Sequence, residues 1–365
     1  MTFATLSMPA PRPSFAPASV RACTVPALLA GLYLLMALWA RHIWPDSEAG
    51  HGFGTFLVYV DYMWRNGQVA LLFGSIAALL ALSYVSRGTS IIGYIRERFM
   101  AVRSGIPGAA FGVAVGVLTF SVFMFSYSAL KVRIPVWSDF TWDPAFAAWD
   151  RALFAGRDPW TLFAWIYDYP GFVGVMDWIY DAWAVLLCGA WLLAFARSQW
   201  SGRAALRLPV AIMMLWFMGG NVLATVFASA GPCYYALVTG VASDPFAAQL
   251  ATLAAFDINA VSYQALLWQV HESPGYGLGG ISALPSMHCG TSALFVLAVW
   301  RRPALRLVAA AFAVFIWIGS FMLAWHYAVD GLAALPVVAL AWWAAGKLCH
   351  PSAASAPSSL ASSAA

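Results

Sequence analysis

The feature that most constrains the fold is a series of long apolar stretches that alternate with short basic turns. Near the carboxyl end, apolar runs at 291–300 and 307–318 flank a turn that contains Arg301, Arg302 and Arg306. At about 1.5 Å per residue, each run carries a helix most of the way across a bilayer. Only 9% of the residues are charged, against about 25% in soluble globular proteins. The sequence therefore predicts an integral membrane protein.

The apolar stretches predict an all-α, polytopic protein with about eight transmembrane helices. The polar and aromatic segment 42–67 and the longer segment 230–284 are predicted loops, and 131–170 predicts short interfacial helices. The expected parts are a flexible cytoplasmic tail (1–22), an accessory two-helix membrane segment (23–104), a six-helix core (105–346) and a disordered cytoplasmic tail (347–365).

The distribution of basic residues predicts the orientation. With both termini in the cytoplasm, thirteen of the 19 Lys and Arg residues fall in cytoplasmic segments and six on the other side. Every short cytoplasmic loop is then basic, as the positive-inside rule requires. The sequence therefore predicts a protein of the bacterial inner membrane whose segment 282–330 begins and ends on the periplasmic face.

Composition excludes several functional classes. The five cysteines are scattered without a C-x-x-C spacing, so neither a disulfide framework nor a zinc site is expected. No basic patch supports nucleic-acid binding, and no metal or cofactor is predicted. The oligomeric state is left open.

Two histidines and one aspartate are the strongest candidates for chemistry. One apolar hairpin separates His288 from His326, so both return to the same membrane face. Asp330 follows His326 by four residues, and on a helix the two side chains share a face. A carboxylate in that position can hold the imidazole in one tautomer.

These residues also carry a resemblance to a known family. Pro285-Ser286-Met287-His288 and His326-Tyr-Ala-Val-Asp330 match the Pro-Ser-x-His and His-x-x-x-Asp elements of the type-2 phosphatidic acid phosphatase superfamily. Together with Gly231-Pro232-Cys-Tyr234-Tyr235, they resemble the branch that contains inositol phosphorylceramide synthases. The resemblance covers roughly residues 130–346.

The resemblance implies a membrane enzyme that acts on a lipid phosphate without a metal ion. His326 would be the nucleophile, His288 the general acid, and Asp330 the group that orients His326. The enzyme would either dephosphorylate a lipid phosphate or transfer a phosphorylated headgroup between lipids, because water or an alcohol can resolve a phospho-histidine. The sequence leaves that choice and the identity of the lipid open.

The residues that bind the phosphate are less clear from the sequence. Ser320 stands where the wider superfamily has an arginine, six residues before the nucleophile. The predicted helices that begin near His288 and His326 would both present N–H groups to an anion. Ser286 is either a phosphate contact or a helix cap. The cations predicted on the outer side after the third helix are Lys131, Arg133, Arg151 and Arg157.

Two further carboxylates lie close to this region in the predicted topology. Asp177 and Asp181 share a face of the predicted fourth helix. They are candidates for binding a polyol headgroup, and the alternative is a salt bridge to Arg151 or Arg157.

Two other functions remain open at this point. Two histidines on neighbouring helices are also typical of haem ligation in an electron-transfer protein. Intramembrane charges are also typical of transporters, although no internal repeat supports that function.

Overall fold

The structure is a computed structural model that describes residues 20–44, 53–85, 105–272 and 279–350. It is helical throughout, and no strand occurs in these ranges. The predicted tails, 1–22 and 347–365, lie for the most part outside the described residues, as does the basic stretch that precedes residue 105.

In the part of the chain that the structure describes, eleven helices form the framework and are joined by shorter helical turns. They are α1 (Thr24–Ile43), α2 (Phe53–Val85), α3 (Ile106–Lys131), α4 (Asp143–Leu153), α5 (Pro170–Ser201), α6 (Arg207–Phe217), α7 (Ala247–Ala254), α8 (Asn259–Glu272), α9 (Met287–Ala298), α10 (Pro303–Met322) and α11 (Ala328–Cys349).

The prediction of an all-α polytopic membrane protein is confirmed. In the described ranges, five helical stretches are long and apolar enough to cross a membrane, or six if the bent pair α7 and α8 counts as one span. The predicted number was about eight. The five stretches, counted in the described residues alone, do not include α2; in addition, α9 has only 12 residues and the continuous stretch Pro170–Val226 counts once.

The stretch Pro170–Val226 folds back on itself at the turn Gly202–Leu206. Towards its end, α5 reaches the first half of α3, where Trp191 Nε1 donates to the Gly116 carbonyl oxygen at 3.0 Å. The continuation of α6 instead reaches the end of α3, where Asn221 Nδ2 donates to the Tyr127 carbonyl. The two helices are therefore antiparallel, and this stretch provides two crossings.

Two predicted loops are partly helical in the structure, so those predictions were wrong in detail. The segment 42–67 was predicted as a loop, but α2 begins at Phe53. Inside it, Arg65 and Asp61 form an i, i+4 ion pair at 2.7 Å on the exposed face. The segment 230–284 contains α7 and α8, which are bent by 115° relative to each other.

The first helix packs closely on the helices that follow. Its buried face carries small residues and Tyr33, and the Tyr33 hydroxyl donates to Asn221 Oδ1. Asn221 lies in a π-helical turn, Met218–Leu223, that continues α6. Such turns shift one helix face relative to the next and are frequent at functional sites. Here the turn brings Gly219 against Met287 at the start of α9.

One end of the bundle gathers the beginnings of α5, α9 and α11 and the ends of α3 and α10. The opposite end carries basic turns: at the start of α6, Arg207 donates to the Trp342 carbonyl oxygen near the end of α11 at 3.0 Å. Both histidines therefore lie at the end away from this turn, as the alternation of the predicted helices requires.

Candidate active site

The structure brings the two predicted histidines together. His288 is the second residue of α9, and His326 lies in the short loop between α10 and α11. Their ring centroids are 6.4 Å apart, and the ring planes meet at 60°. One phosphate group between the rings could contact both imidazoles.

The hydrogen bonds of His326 define its tautomer. Nδ1 lies 2.8 Å from the carbonyl oxygen of Ala283 and 3.3 Å from Asp330 Oδ2. A carbonyl oxygen only accepts, so Nδ1 carries the proton, and in the neutral ring Nε2 keeps its lone pair. Burial, with a smaller contribution from the charge of Lys131, lowers the pKa of His326 to about 3. The imidazole is therefore neutral at physiological pH, the form that a nucleophile requires.

Asp330 connects the histidine to the backbone around it. Its side chain is fully buried, and Oδ2 accepts from the Tyr327 N–H at 2.9 Å as well as from His326. The Asp330 carbonyl oxygen accepts from the Ser286 N–H at 3.0 Å, which ties α11 to the start of α9. Within the described residues, Asp330 Oδ1 has no hydrogen-bond partner.

Aromatic side chains of α5 form the wall beside His288. The Tyr180 ring stacks on the imidazole with centroids 4.6 Å apart, and the Trp183 ring lies at 4.2 Å. Trp183 stacks in turn on Trp216. His288 is thus half-buried and held on one side.

Ser286 is the N-cap of α9. Its hydroxyl accepts from the Cys289 N–H at 3.4 Å, and its carbonyl oxygen accepts from Gly290 N. Of the two roles that the sequence left open, the structure contains the cap, which satisfies one of the free N–H groups at the helix start. Phosphate contact by Ser286 stays a prediction.

The comparison with known families agrees with this geometry. The sequence model of the PAP2 superfamily matches residues 144–344, more than half of the chain, including both histidines and Asp330. The chain belongs to the PAP2 superfamily. The predicted membership of the type-2 phosphatidic acid phosphatase superfamily is confirmed, whereas the inositol phosphorylceramide synthase branch stays a prediction. No curated protein and no solved structure matches the chain.

In this PAP2 protein, Lys131 is the predicted cation whose charge reaches the histidines. It ends α3 and lies over the Tyr127 ring, with Nζ 5.6 Å from the centroid. After burial, its positive charge is the next cause of the lowered pKa of His326. Gly280 packs on its backbone so closely that a Cβ there would lie 2.7 Å from the Lys131 carbonyl oxygen.

The other three predicted cations have different surroundings. The Arg133 side chain is buried, and its Nη1 donates to the Ala129 carbonyl oxygen. Arg151 Nε forms an ion pair with Asp158 at 2.8 Å. Arg157 is exposed on the turn after α4. Across the described ranges, neither Arg151 nor Arg157 has a hydrogen bond or ion pair with either histidine, and phosphate binding by these cations stays a prediction.

Asp177 and Asp181 hold the start of α8. The two oxygens of Asp177 accept from the N–H groups of Asn259 and Ala260 at 2.8 and 3.0 Å, and Asp181 accepts from the Asn259 side chain at 2.8 Å. In the described residues Asp177 thus bonds to backbone N–H groups, and headgroup binding by Asp177 and Asp181 stays a prediction. Both oxygens are already used in capping a helix, which favours negative charge at its N-terminus.

Two further aspartates near the site, Asp143 and Asp150, were not predicted as functional residues from the sequence. They lie seven residues apart on α4, and both are buried. Asp143 accepts from the Tyr327 hydroxyl at 2.8 Å, and Asp150 accepts from the Ala328 and Val329 N–H groups at 2.7 and 2.8 Å. Burial raises the pKa of both carboxyls, that of Asp150 to about 7. Their spacing on an amphipathic interfacial helix was the only signal in the sequence.

The capped start of α11 corrects one expectation. The sequence predicted that the N-terminus of this helix, beside His326, would present its N–H groups to the phosphate. Its first two N–H groups, of Ala328 and Val329, instead donate to Asp150. The start of α9 is the helix end that can still favour an anion.

Proposed function

We propose that the protein is a membrane phosphatase or phosphotransferase that acts on lipid phosphate esters through a phospho-His326 intermediate. The proposal rests mainly on the hydrogen bonds of His326. They place the ring proton on Nδ1 and leave the lone pair on Nε2. Membership of the PAP2 superfamily supports an enzyme of phosphatase type. It favours this function over haem binding and transport, which the sequence left open.

The reaction proceeds in two displacements. In the first, His326 Nε2 attacks phosphorus and the ester P–O bond breaks, while His288 donates a proton to the departing lipid oxygen. In the second, water or an alcohol attacks phosphorus, the P–N bond breaks, and His288 takes back a proton. Water gives inorganic phosphate, and an alcohol gives a new phosphate ester. The chain therefore acts as hydrolase or transferase according to which acceptor reaches the intermediate.

Neighbouring groups stabilise the charges that develop in this reaction. Asp330 lies 3.3 Å from His326 Nδ1 and stabilises the imidazolium character of the phosphorylated ring. In this mechanism, the Lys131 ammonium and the start of α9 stabilise the negative phosphate oxygens. The bound phosphate in turn favours the proton on His288.

Phosphate release that does not depend on metal ions tests the proposed function. The described residues contain no group of three His, Cys, Asp or Glu side chains suited to a metal ion. We expect the purified protein in detergent to release phosphate from a lipid phosphate in excess EDTA at the same rate as without it. Loss of activity in the chelator, restored by magnesium, would contradict the phospho-histidine route. Addition of a lipid alcohol then measures how much of the product arises by transfer.

We propose that the active site faces the periplasm and that both termini are cytoplasmic. Reporter fusions after Arg203 and after Arg302 are expected to report the cytoplasm, because these basic turns lie at the end of the bundle away from the histidines. A fusion near Asp257 should report the outside. A cytoplasmic signal at Asp257 would invert the orientation.

A further inference from the structure

The backbone of the loop 325–330 uses all six of its N–H groups in hydrogen bonds. Four of them bond to atoms within residues 320–330. The other two, those of Ala328 and Val329, donate to the two carboxylate oxygens of Asp150 at 2.7 and 2.8 Å. Among the bonds of these six N–H groups, only the two to Asp150 reach a distant segment of the described chain.

We propose that Asp150 is a positioning residue for the nucleophile His326. The inference rests on the proposed function, because it assigns Asp150 to the alignment of His326 Nε2 with the phosphate. Both Asp150 oxygens accept from backbone N–H groups, and neither is hydrogen-bonded to the imidazole in the described residues. It acts through the backbone two and three residues beyond His326.

The bonding pattern explains why a carboxylate suits this position. The N–H groups of Ala328 and Val329 are the first two of α11, and they point along the helix axis where its dipole is positive. A carboxylate offers one oxygen to each of these two N–H groups. An asparagine of the same size offers one oxygen and one NH₂ group, so one of the two N–H groups would face a donor instead of an acceptor.

Asp143 makes a second connection from the same helix face. Its oxygens accept from the N–H groups of Ala230 and Gly231 at 2.8 Å each and from the Tyr327 hydroxyl at 2.8 Å. Gly231 has φ +104, and a Cβ there would lie 2.6 Å from the Trp325 carbonyl oxygen. The 230–231 turn therefore presses directly on the loop that carries the nucleophile.

The test replaces Asp150 by asparagine and compares kcat with KM. We expect kcat on a lipid phosphate to fall about 10- to 100-fold, because a displacement of roughly 1 Å at a reacting atom costs about that much. KM should stay within twofold of the wild-type value, because Asp150 does not contact the substrate. Phosphorylation of His326 in a single turnover should slow by the same factor as kcat.

A matched control and a second variant separate positioning from folding. Asp244 also accepts a backbone N–H at a helix start, that of Phe246 at 2.9 Å, and Asp244→Asn should leave kcat unchanged. Ala328→Pro removes the donor instead of the acceptor. Proline is tolerated at the first helical position, and Tyr327 already has the extended backbone that precedes a proline.

The outcomes distinguish this inference from the proposed function. Wild-type protein that forms no phospho-histidine would overturn the proposed function. An active wild type whose folded, inserted Asp150→Asn or Ala328→Pro variant keeps kcat within twofold would overturn the positioning role alone. An increase in KM in both variants, with kcat unchanged, would also overturn the positioning role. If the role is correct, either folded variant loses kcat, and the double variant loses less than the product of the two single losses.

Discussion

Replacement of His326 by alanine is expected to abolish turnover of every phosphate ester that the protein accepts. Without Nε2 no covalent intermediate can form, and removal of an enzyme nucleophile costs on the order of 10⁶-fold. The hydrogen bonds from Nδ1 to Ala283 and Asp330 show that this ring is already in the attacking tautomer. The measurement is phosphate release, together with detection of phospho-histidine after rapid quenching.

His271→Ala is the matched control for this experiment. His271 lies in the last turn of α8 and packs on the Trp268 ring at 5.0 Å, so its loss should leave turnover unchanged. Both variants must reach the membrane in equal amounts. Residual lipid turnover by a well-folded His326→Ala protein would contradict the nucleophile assignment.

Replacement of His288 by alanine is expected to reveal a dependence on the leaving group. A lipid alkoxide is a poor leaving group and needs a proton, whereas p-nitrophenolate leaves largely without one. Loss of a general acid costs about 10²–10⁴-fold, and we expect a loss in this range on a lipid phosphate. The loss on p-nitrophenyl phosphate should be distinctly smaller. The ratio of kcat/KM values for the two substrates is the measurement.

The aryl substrate is the internal control that separates loss of the acid from structural damage to the site. Tyr180 and Trp183 pack on this imidazole, so its removal can also loosen the wall of the site. Such a structural effect would reduce turnover of both substrates alike. Equal losses on both substrates would therefore contradict the acid assignment.

Much of the fold could be predicted because membrane spans follow from local composition. The apolar run 307–318, for example, lies entirely within α10. The predictions failed where the local pattern was mixed. The charged and aromatic residues at the beginning of α2 resembled a loop. The 14-residue helix α8 lies in a segment without strong apolar periodicity, and Asp177 on another helix caps it.

The candidate site likewise has a part that could be predicted from the sequence and a part that could not. The hairpin spacing between His288 and His326 and the four-residue spacing to Asp330 are local, so the sequence predicted that these three residues meet. The bonds from the loop 325–330 to Asp150 and Asp143 join positions 178 to 184 residues apart. No periodicity encodes such a pairing. One sequence therefore could not predict that α4 supports the loop or that the start of α11 is already capped.

The support from α4 determines what would have to be transplanted to build this chemistry elsewhere. A graft of segment 282–330 into another helical membrane scaffold would carry both histidines and Asp330 but would leave two backbone N–H groups without acceptors. A chain trimmed to residues 144–344 would still lose Asp143 and its bond to the Tyr327 hydroxyl. The smallest segment that could carry this site into another protein therefore has to include the whole of α4, and a segment that starts at the first histidine is too short.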